Sequence, residues 1–118
     1  MNNLTIIDNQ LLPIYQNERQ EHLVNSRDLY NFVGSKQQFT DWIKNRLDKW
    51  GFIENQDYIV FHNFMKNPEG GRPTIEYILT LDTAKEIAMV ENNEKGRQAR
   101  RYFIEVEKRY KQDISLLS

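Results

Sequence analysis

Basic side chains are concentrated near the C-terminal end of the chain, at a spacing that could place several of them on one side of a helix. Seven lie between positions 95 and 111: Lys95, Arg97, Arg100, Arg101, Lys108, Arg109 and Lys111. The acidic residues of this stretch are fewer: Glu94, Glu105 and Glu107. Guanidinium and ammonium groups bind carboxylates and phosphates. The cluster therefore indicates a surface for an acidic partner protein, a neighbouring subunit or a phosphate group.

Pairing within the helix accounts for only part of this cluster. Glu105 can pair with Arg101, Lys108 or Arg109 at helical spacing, and cations near a helix C-terminus also suit the helix dipole. Neither explanation suits the arginines nearer the N-terminal end, which outnumber their acidic neighbours. We therefore predict a partner-binding surface formed by Lys95, Arg97, Arg100 and Arg101, with Arg72 in a separate loop as a further candidate.

A second set of polar side chains surrounds the start of another predicted helix. The stretch from Ser26 to Asn45 has a short helix, a glycine and a longer helix, which is the outline of a helix-turn-helix. Lysine, glutamine and asparagine side chains there could contact phosphates and base edges. The candidate DNA-binding residues are Lys36, Gln37, Gln38, Thr40, Lys44 and Asn45. Tyr30 is bulky where such helices usually cross closely, and two amphipathic helices covering a sheet share this outline, so DNA binding is the alternative prediction.

Residues that could support catalysis do not form a recognisable constellation. The two histidines, His22 and His62, lie far apart in the sequence, and neither has a partner at metal-ligand spacing. A phosphate-binding loop needs a lysine and a helix directly after it. Gly70-Gly71-Arg72 has no such lysine, and a β-rich segment follows it in place of a helix. The sequence favours a binding protein with no metal and no cofactor over an enzyme.

The elements that must position these side chains alternate between strand-like and helix-like patterns. Apolar runs at Leu4–Ile7 and Leu11–Tyr15 indicate two short strands or a hairpin, and His22–Val24 is another short apolar run. Runs at Tyr58–Phe61 and Thr74–Leu79 indicate a β-hairpin around a polar loop. These patterns predict an α+β fold, with a small antiparallel sheet or β-hairpin and about four helices, and residues 1–118 as one domain.

Helical periodicity gives the four helices and their buried sides. The first is capped by Ser26 and ends at Gly34. The second helix and the last helix each have an apolar stripe. The last helix is predicted from about Glu94 to about Lys111. The stripe of the second helix is Phe39, Trp42, Ile43, Leu47 and Trp50; that of the last is Ala99, Phe103, Val106 and Tyr110. Thr80 or Asp82 caps the third helix, which has small alanines at Ala84 and Ala88.

Two residues inside these helices predict specific contacts. Arg46 falls within an apolar stripe, so we expect it to pair with a carboxylate, to extend its charge to solvent or to lie at an interface. Gly96 occupies the first turn of the last helix, where glycine costs about 1 kcal/mol relative to alanine. A glycine at that position indicates a close approach by other backbone or by a partner.

Composition agrees with a globular protein in a reducing compartment. The 118 residues are 39% hydrophobic, carry a formal net charge of −1 and include no cysteine. A net charge near zero gives no overall attraction to nucleic acid. No stretch approaches the roughly 18 apolar residues of a membrane span, and the N-terminus lacks the features of a signal peptide. We expect a cytoplasmic protein.

Several ordered blocks of the sequence resemble a known family. They include Asn25-Ser-Arg-Asp-Leu-Tyr-Asn-Phe-Val33, Phe39-Thr-Asp-Trp-Ile43 and Trp50-Gly-Phe-Ile-Glu-Asn-Gln-Asp-Tyr58. They continue with Tyr77-Ile-Leu-Thr-Leu-Asp-Thr-Ala-Lys-Glu-Ile-Ala-Met89 and Glu94-Lys-Gly-Arg-Gln-Ala-Arg-Arg-Tyr-Phe103. From about Val24 to Lys108, the chain resembles the AntA/AntB antirepressor domain of temperate phages.

This resemblance implies a phage or prophage regulator acting in the bacterial host. Family members counter the repressor that maintains lysogeny, typically by binding it, and so permit expression of lytic genes. A C-terminal domain often follows the family's N-terminal domain, so the resemblance leaves two alternatives: a short family member, or a chain that lacks its C-terminal domain after residue 118. The resemblance thus implies a non-catalytic antirepressor with a phage repressor as partner, which we expect to form a homo-oligomer.

Overall fold

The fold combines one antiparallel sheet with four helices. The computed structural model describes the backbone of residues 4–63 and 74–117, and the side chains of residues 4–62 and 74–110. The strands are β1 (Thr5–Asp8), β2 (Ile14–Gln16), β3 (His22–Asn25), β4 (Tyr58–Asn63) and β5 (Thr74–Thr80). The helices are α1 (Ser26–Val33), α2 (Phe39–Lys49), α3 (Leu81–Val90) and α4 (Glu94–Leu117). The strands lie in the order β1-β2-β3-β5-β4, which confirms the predicted α+β class.

The hydrophobic core lies between one face of this sheet and the helices. Because side chains alternate between the two faces of a strand, every second residue of the central strands faces the helices. Val24 and Leu79, paired across β3 and β5, are fully buried there together with Trp42 and Phe103. Ile78 belongs to the other face and is buried outside this core cluster. The last helix therefore completes the same core as the sheet.

The start of α1 corrects the predicted cap by one residue. The side-chain oxygen of Asn25, not Ser26, accepts a hydrogen bond from the Arg27 backbone N–H at 2.9 Å. Asn25 ends β3 with extended backbone angles, as an N-cap requires, and Ser26 becomes the first buried residue of the helix. The predicted stop is confirmed, because Gly34 has the left-handed backbone conformation, with φ of 69°.

The stripe predicted for α2 holds for four of its five residues. Phe39, Trp42, Ile43 and Leu47 are buried, but Trp50 is 51% exposed. Trp50 follows the last helical residue, Lys49, and its backbone angles are no longer helical. Helical periodicity would place the Trp50 side chain on the buried side of α2, but the chain is no longer helical at this residue.

Arg46 forms a buried ion pair that joins α2 to the end of α3. Its Nη2 lies 2.8 Å from Glu91 Oε2, and the indole N–H of Trp42 donates to the same oxygen at 2.8 Å. Both charged side chains are largely buried. Pairing with a carboxylate, one of the predictions made for Arg46, is confirmed.

Gly96 lies where α4 crosses closely over the end of α3. A Cβ atom at this position would be 2.6 Å from the Ala88 carbonyl oxygen and 2.8 Å from Glu91 Cβ. The N–H of Gly96 donates a capping hydrogen bond to Asn93 Oδ1 at 2.7 Å. The predicted close approach is confirmed, and the approaching group is backbone of the same chain.

Candidate functional site

The basic residues of α4 are distributed around its exposed perimeter. The helix buries Ala99, Phe103 and Val106 against the rest of the core. Because an α-helix turns once in about 3.6 residues, Arg97 and Arg101 share the side that faces away from this core. The four predicted partner-binding residues of α4 therefore divide into a central pair and two residues on the flanks.

Arg97 and Arg101 are held together by one carboxylate. Arg97 Nη2 lies 3.2 Å from one oxygen of Glu94, and Arg101 Nη2 lies 3.6 Å from the other. The arginine side chains are 59% and 64% exposed. Exposed ion pairs of this kind contribute about 0–1 kcal/mol, so the guanidinium groups can exchange this partner for another. We call Arg97 and Arg101 the α4 arginine pair.

The other two predicted residues of α4 lie on opposite flanks of this pair. The ammonium group of Lys95 is 4.8 Å from the centre of the Phe32 ring, on the side of α1. Arg100 lies on the side of α3, where it lines a surface cavity with Met89 and Ile104. Within the described residues, Arg100 makes no ion pair. Arg72, the remaining candidate, lies outside the described residues.

An exposed leucine lies beside Arg101, and the sequence patterns predict this residue only as part of a short strand. Leu11 is 40% exposed, and it lines a surface cavity of about 430 Å³ together with Arg101, Gln98 and Glu105. It belongs to the connection between β1 and β2, far from α4 in the sequence. Arginine is enriched at protein interfaces, and the buried centre of an interface is more apolar than the rest of the surface.

Arg109 is occupied by a structural contact at the far side of α4. Its Nη1 lies 2.6 Å from Asp8 Oδ2, and the hydroxyl of Tyr102 lies 2.7 Å from Asp8 Oδ1. The same hydroxyl is 2.7 Å from the carbonyl oxygen of Leu12, so its single proton is shared between two acceptors. These contacts hold the N-terminal hairpin against α4, and they remove Arg109 from the set available to a partner.

Hydrogen bonding determines the acid–base properties of this contact. Burial favours a raised pKa for Asp8, but bonds from Tyr102, from the Gln10 N–H and from Arg109 bring its pKa below the ordinary value of 3.8. Burial, together with the hydrogen bond to Asp8, raises the pKa of Tyr102. Asp8 is therefore ionised and Tyr102 protonated at neutral pH.

Acid should weaken the attachment of the hairpin through Asp8. Because the pKa of Asp8 is lower in the folded state than in the unfolded chain, its contribution is complete above the unfolded value, near 3.8, and is lost as the pH falls through the folded value. We expect Asp8→Asn to cost about 1.5 kcal/mol at pH 6, as hydrogen bonds to charged groups do, and the difference from the original protein to shrink as the pH falls below 3.8. Urea unfolding across this range measures it, and a cost that does not change with pH would contradict it.

The alternative DNA-binding residues are all exposed around the start of α2. Exposed side chains are found at Lys36, Gln37, Gln38, Thr40, Lys44 and Asn45. Tyr30 does not keep the helices apart: its hydroxyl donates to the Gln37 carbonyl oxygen at 2.6 Å, and its ring packs edge-on against Phe39. The linker between α1 and α2 is thus fixed, but the same surface carries the exposed acids Asp41 and Asp48.

The histidines occupy unrelated environments. His22 contacts the Tyr110 ring and lies 3.3 Å from Gln16 Oε1 through Nε2, and burial lowers its pKa. His62 is exposed on β4. In the described part of the chain, no group of three histidine, aspartate or glutamate side chains could hold a metal ion.

Comparison with protein families identifies the family to which this chain belongs. A family model described as AntA/AntB antirepressor matches residues 24–93, more than half of the chain. The chain belongs to the AntA/AntB antirepressor family. The searches of curated proteins and of solved structures find no match. Antirepressor function in the general sense is therefore supported by family membership.

The matched part of this antirepressor runs from β3 to the residue before α4. It contains α1, α2, α3, β4 and β5. The block from Glu94 to Phe103, assigned to the same resemblance from its sequence, lies beyond the match. No helix in the described residues is both long enough and apolar enough to cross a membrane.

Proposed function

We propose that this antirepressor binds a phage repressor protein directly, without catalysis, and thereby permits expression of lytic genes in the bacterial cytoplasm. The contact is centred on the α4 arginine pair, with Lys95 and Arg100 on its flanks. The observation that carries this assignment is the sharing of one exposed carboxylate by two exposed guanidinium groups. Binding the repressor lowers the amount that is free to occupy its operators.

The charge of this surface favours an acidic partner. Glu94 supplies one negative charge to the arginine pair, which leaves an excess positive charge facing solvent. Arginine forms two parallel hydrogen bonds with a carboxylate, which gives direction as well as affinity. A glutamate or aspartate of the repressor can therefore replace Glu94 or bind alongside it, while Leu11 offers apolar contact next to Arg101.

Charge reversal of the arginine pair should weaken repressor binding. We expect the double variant Arg97→Glu and Arg101→Glu to lower affinity at least tenfold, about 1.4 kcal/mol, because interface arginines often contribute more than this. Both side chains are exposed, so the thermal unfolding midpoint should change little. The measurement is titration of the purified repressor by calorimetry or interferometry.

A matched double variant supplies the control. Lys36→Glu and Lys44→Glu reverse the same number of exposed charges on the surface around α2, and they should leave repressor affinity within about twofold, a difference of about 0.4 kcal/mol. Equal losses in the two variants would indicate general electrostatic attraction. Full affinity in the α4 variant would refute the surface assignment.

Direct binding of DNA is the second candidate function. The observation favouring it is the fixed linker between α1 and α2, with six exposed polar side chains that could enter a groove. The acids Asp41 and Asp48 on the same surface oppose phosphate binding. A DNA-binding protein would retain its partners only while nucleic acid is intact, which separates this function from repressor binding.

A further inference from the structure

The outer edge of β4 differs from the opposite edge of the sheet. At the opposite edge, β1 has four residues, its register shifts between Ile6 and Asp8, and the Tyr110 hydroxyl donates to the Ile7 carbonyl oxygen. Short length, irregular register and charge are the features that keep an edge strand from pairing with another chain. This edge is therefore protected.

β4 lacks this protection. Its six residues, Tyr-Ile-Val-Phe-His-Asn from Tyr58 to Asn63, include no lysine, arginine, acid or proline. It pairs with β5 without a register shift, from Tyr58 opposite Leu79 to Asn63 opposite Thr74. An uncharged, regular and apolar edge of this length is a template for another strand.

The hydrogen bonds show which backbone groups point outwards. In an antiparallel pair, successive residues direct their N–H and C=O groups alternately to the two sides. The Thr80 N–H donates to the Asp57 carbonyl oxygen at 3.0 Å, so Asp57 faces β5, and so do Ile59 and Phe61. The intervening residues Tyr58, Val60 and His62 therefore face away from β5.

The outward groups of Tyr58 are partly occupied, while those of the next two outward residues are not. The Asn55 N–H donates to the Tyr58 carbonyl oxygen at 2.6 Å, and Glu54 forms a parallel bridge with Tyr58. For Val60 and His62, no partner of the outward N–H and C=O groups is found in the described residues. With respect to the described residues, these four backbone groups form an open row.

Exposed apolar side chains also occur in the segments next to β4. Trp50 and Ile53 are 51% and 54% exposed in the segment that leads into β4. Ile75, opposite His62 on β5, is also exposed. Burying such side chains against a partner chain would stabilise its binding.

We propose that β4 pairs antiparallel with β4 of a second copy of this chain, forming a two-fold dimer with a continuous ten-stranded sheet. In a two-fold interface the same surface meets itself, which an uncharged strand allows without repulsion between like charges. The register that uses all four open groups places Val60 of each copy opposite His62 of the other. Phe61 then lies opposite its counterpart on the face away from the helices, as a cross-strand aromatic pair.

Proline at position 62 tests this pairing without disturbing β4 and β5. The N–H that His62→Pro removes faces away from β5, and proline is tolerated on edge strands in that orientation. We expect the full chain to sediment as a dimer at equilibrium, His62→Pro as a monomer, and His62→Ala, which keeps the N–H, as a dimer. A monomeric original protein at every concentration, or a His62→Pro variant that remains dimeric, would overturn the proposal.

Amide hydrogen exchange of the original protein decides the question if His62→Pro fails to fold. The amides of Val60 and His62 should exchange slowly at high protein concentration and faster on dilution, while those of Ile59 and Phe61 are protected throughout. Rapid exchange of the outward amides at all concentrations would overturn the proposal. Both measurements need no repressor, so the dimer and the proposed function can fail independently.

Discussion

Replacing Glu91 by alanine is expected to lower the free energy of unfolding by about 3 kcal/mol. The substitution leaves the Arg46 charge and the Trp42 indole N–H without their shared acceptor. Trp42 is fully buried and the Arg46 side chain is only 16% exposed, so water replaces the lost bonds poorly. Removing one partner of a buried ion pair typically costs about 3–5 kcal/mol, and the remaining exposure of Arg46 puts the expected value at the low end. Urea unfolding at neutral pH measures it.

Glu94→Ala is the matched control for this prediction. It removes another carboxylate that contacts arginine, but both arginines and Glu94 itself are exposed. We expect it to cost less than about 1 kcal/mol, combining weak ion pairs with the loss of a favourable charge at a helix N-terminus. Equal costs for Glu91→Ala and Glu94→Ala would show that the pair between α2 and α3 does not stabilise the fold as described.

Gly96→Ala is expected to lower the free energy of unfolding by about 2 kcal/mol. Alanine at an ordinary helix position would instead be favourable by about 1 kcal/mol. Here the added methyl group would lie 2.6 Å from the Ala88 carbonyl oxygen, and backbone of α3 cannot move away as a flexible side chain could. Separating two packed helices costs about 1–3 kcal/mol, which reverses the sign. Thermal and urea unfolding of the variant measure the result.

A substitution on the exposed side of α4 serves as the control for Gly96→Ala. Gln98 is exposed on the same helix, so Gln98→Ala should change the free energy of unfolding by less than about 0.5 kcal/mol. A stabilising effect of Gly96→Ala would mean that α3 and α4 pack less closely than the structure shows.

The sequence predicted contacts that depend on a single local anomaly. Arg46 was recognised because a charge interrupts an apolar stripe, and Gly96 because glycine is unfavourable in a helix. Each anomaly indicates that a compensating contact exists. Neither identifies the partner, since Glu91 is 45 residues from Arg46 along the chain and only the folded structure brings the two together.

Contacts without a local anomaly were not predictable. Asp8 reads as an ordinary turn residue, and its bonds to Tyr102 and Arg109 join segments 94 and 101 residues apart. Trp50 fits a helical stripe in the sequence, but the helix ends one residue too early for that pattern to hold. Periodicity describes the face of a regular helix and gives no information on where the chain leaves it.

The sequence predicted which basic residues belong to α4 but not how their side chains are arranged around the helix. Composition showed an excess of cations in α4, but successive residues of a helix point in different directions. Lys95 therefore faces Phe32 on α1, and Arg109 pairs with Asp8 on β1. The exposed Leu11 beside Arg101 comes from another part of the chain, which only the folded hairpin places there.

The most direct test of repressor binding is a pull-down from a lysogen's lysate, with the tagged protein, in the presence and absence of nuclease. We expect a repressor to be recovered equally in both, and to be lost when Arg97 and Arg101 are changed to glutamate. Recovery only without nuclease would mean that DNA connects the two proteins. That result would contradict direct antirepression and would point instead to the surface formed by α1 and α2.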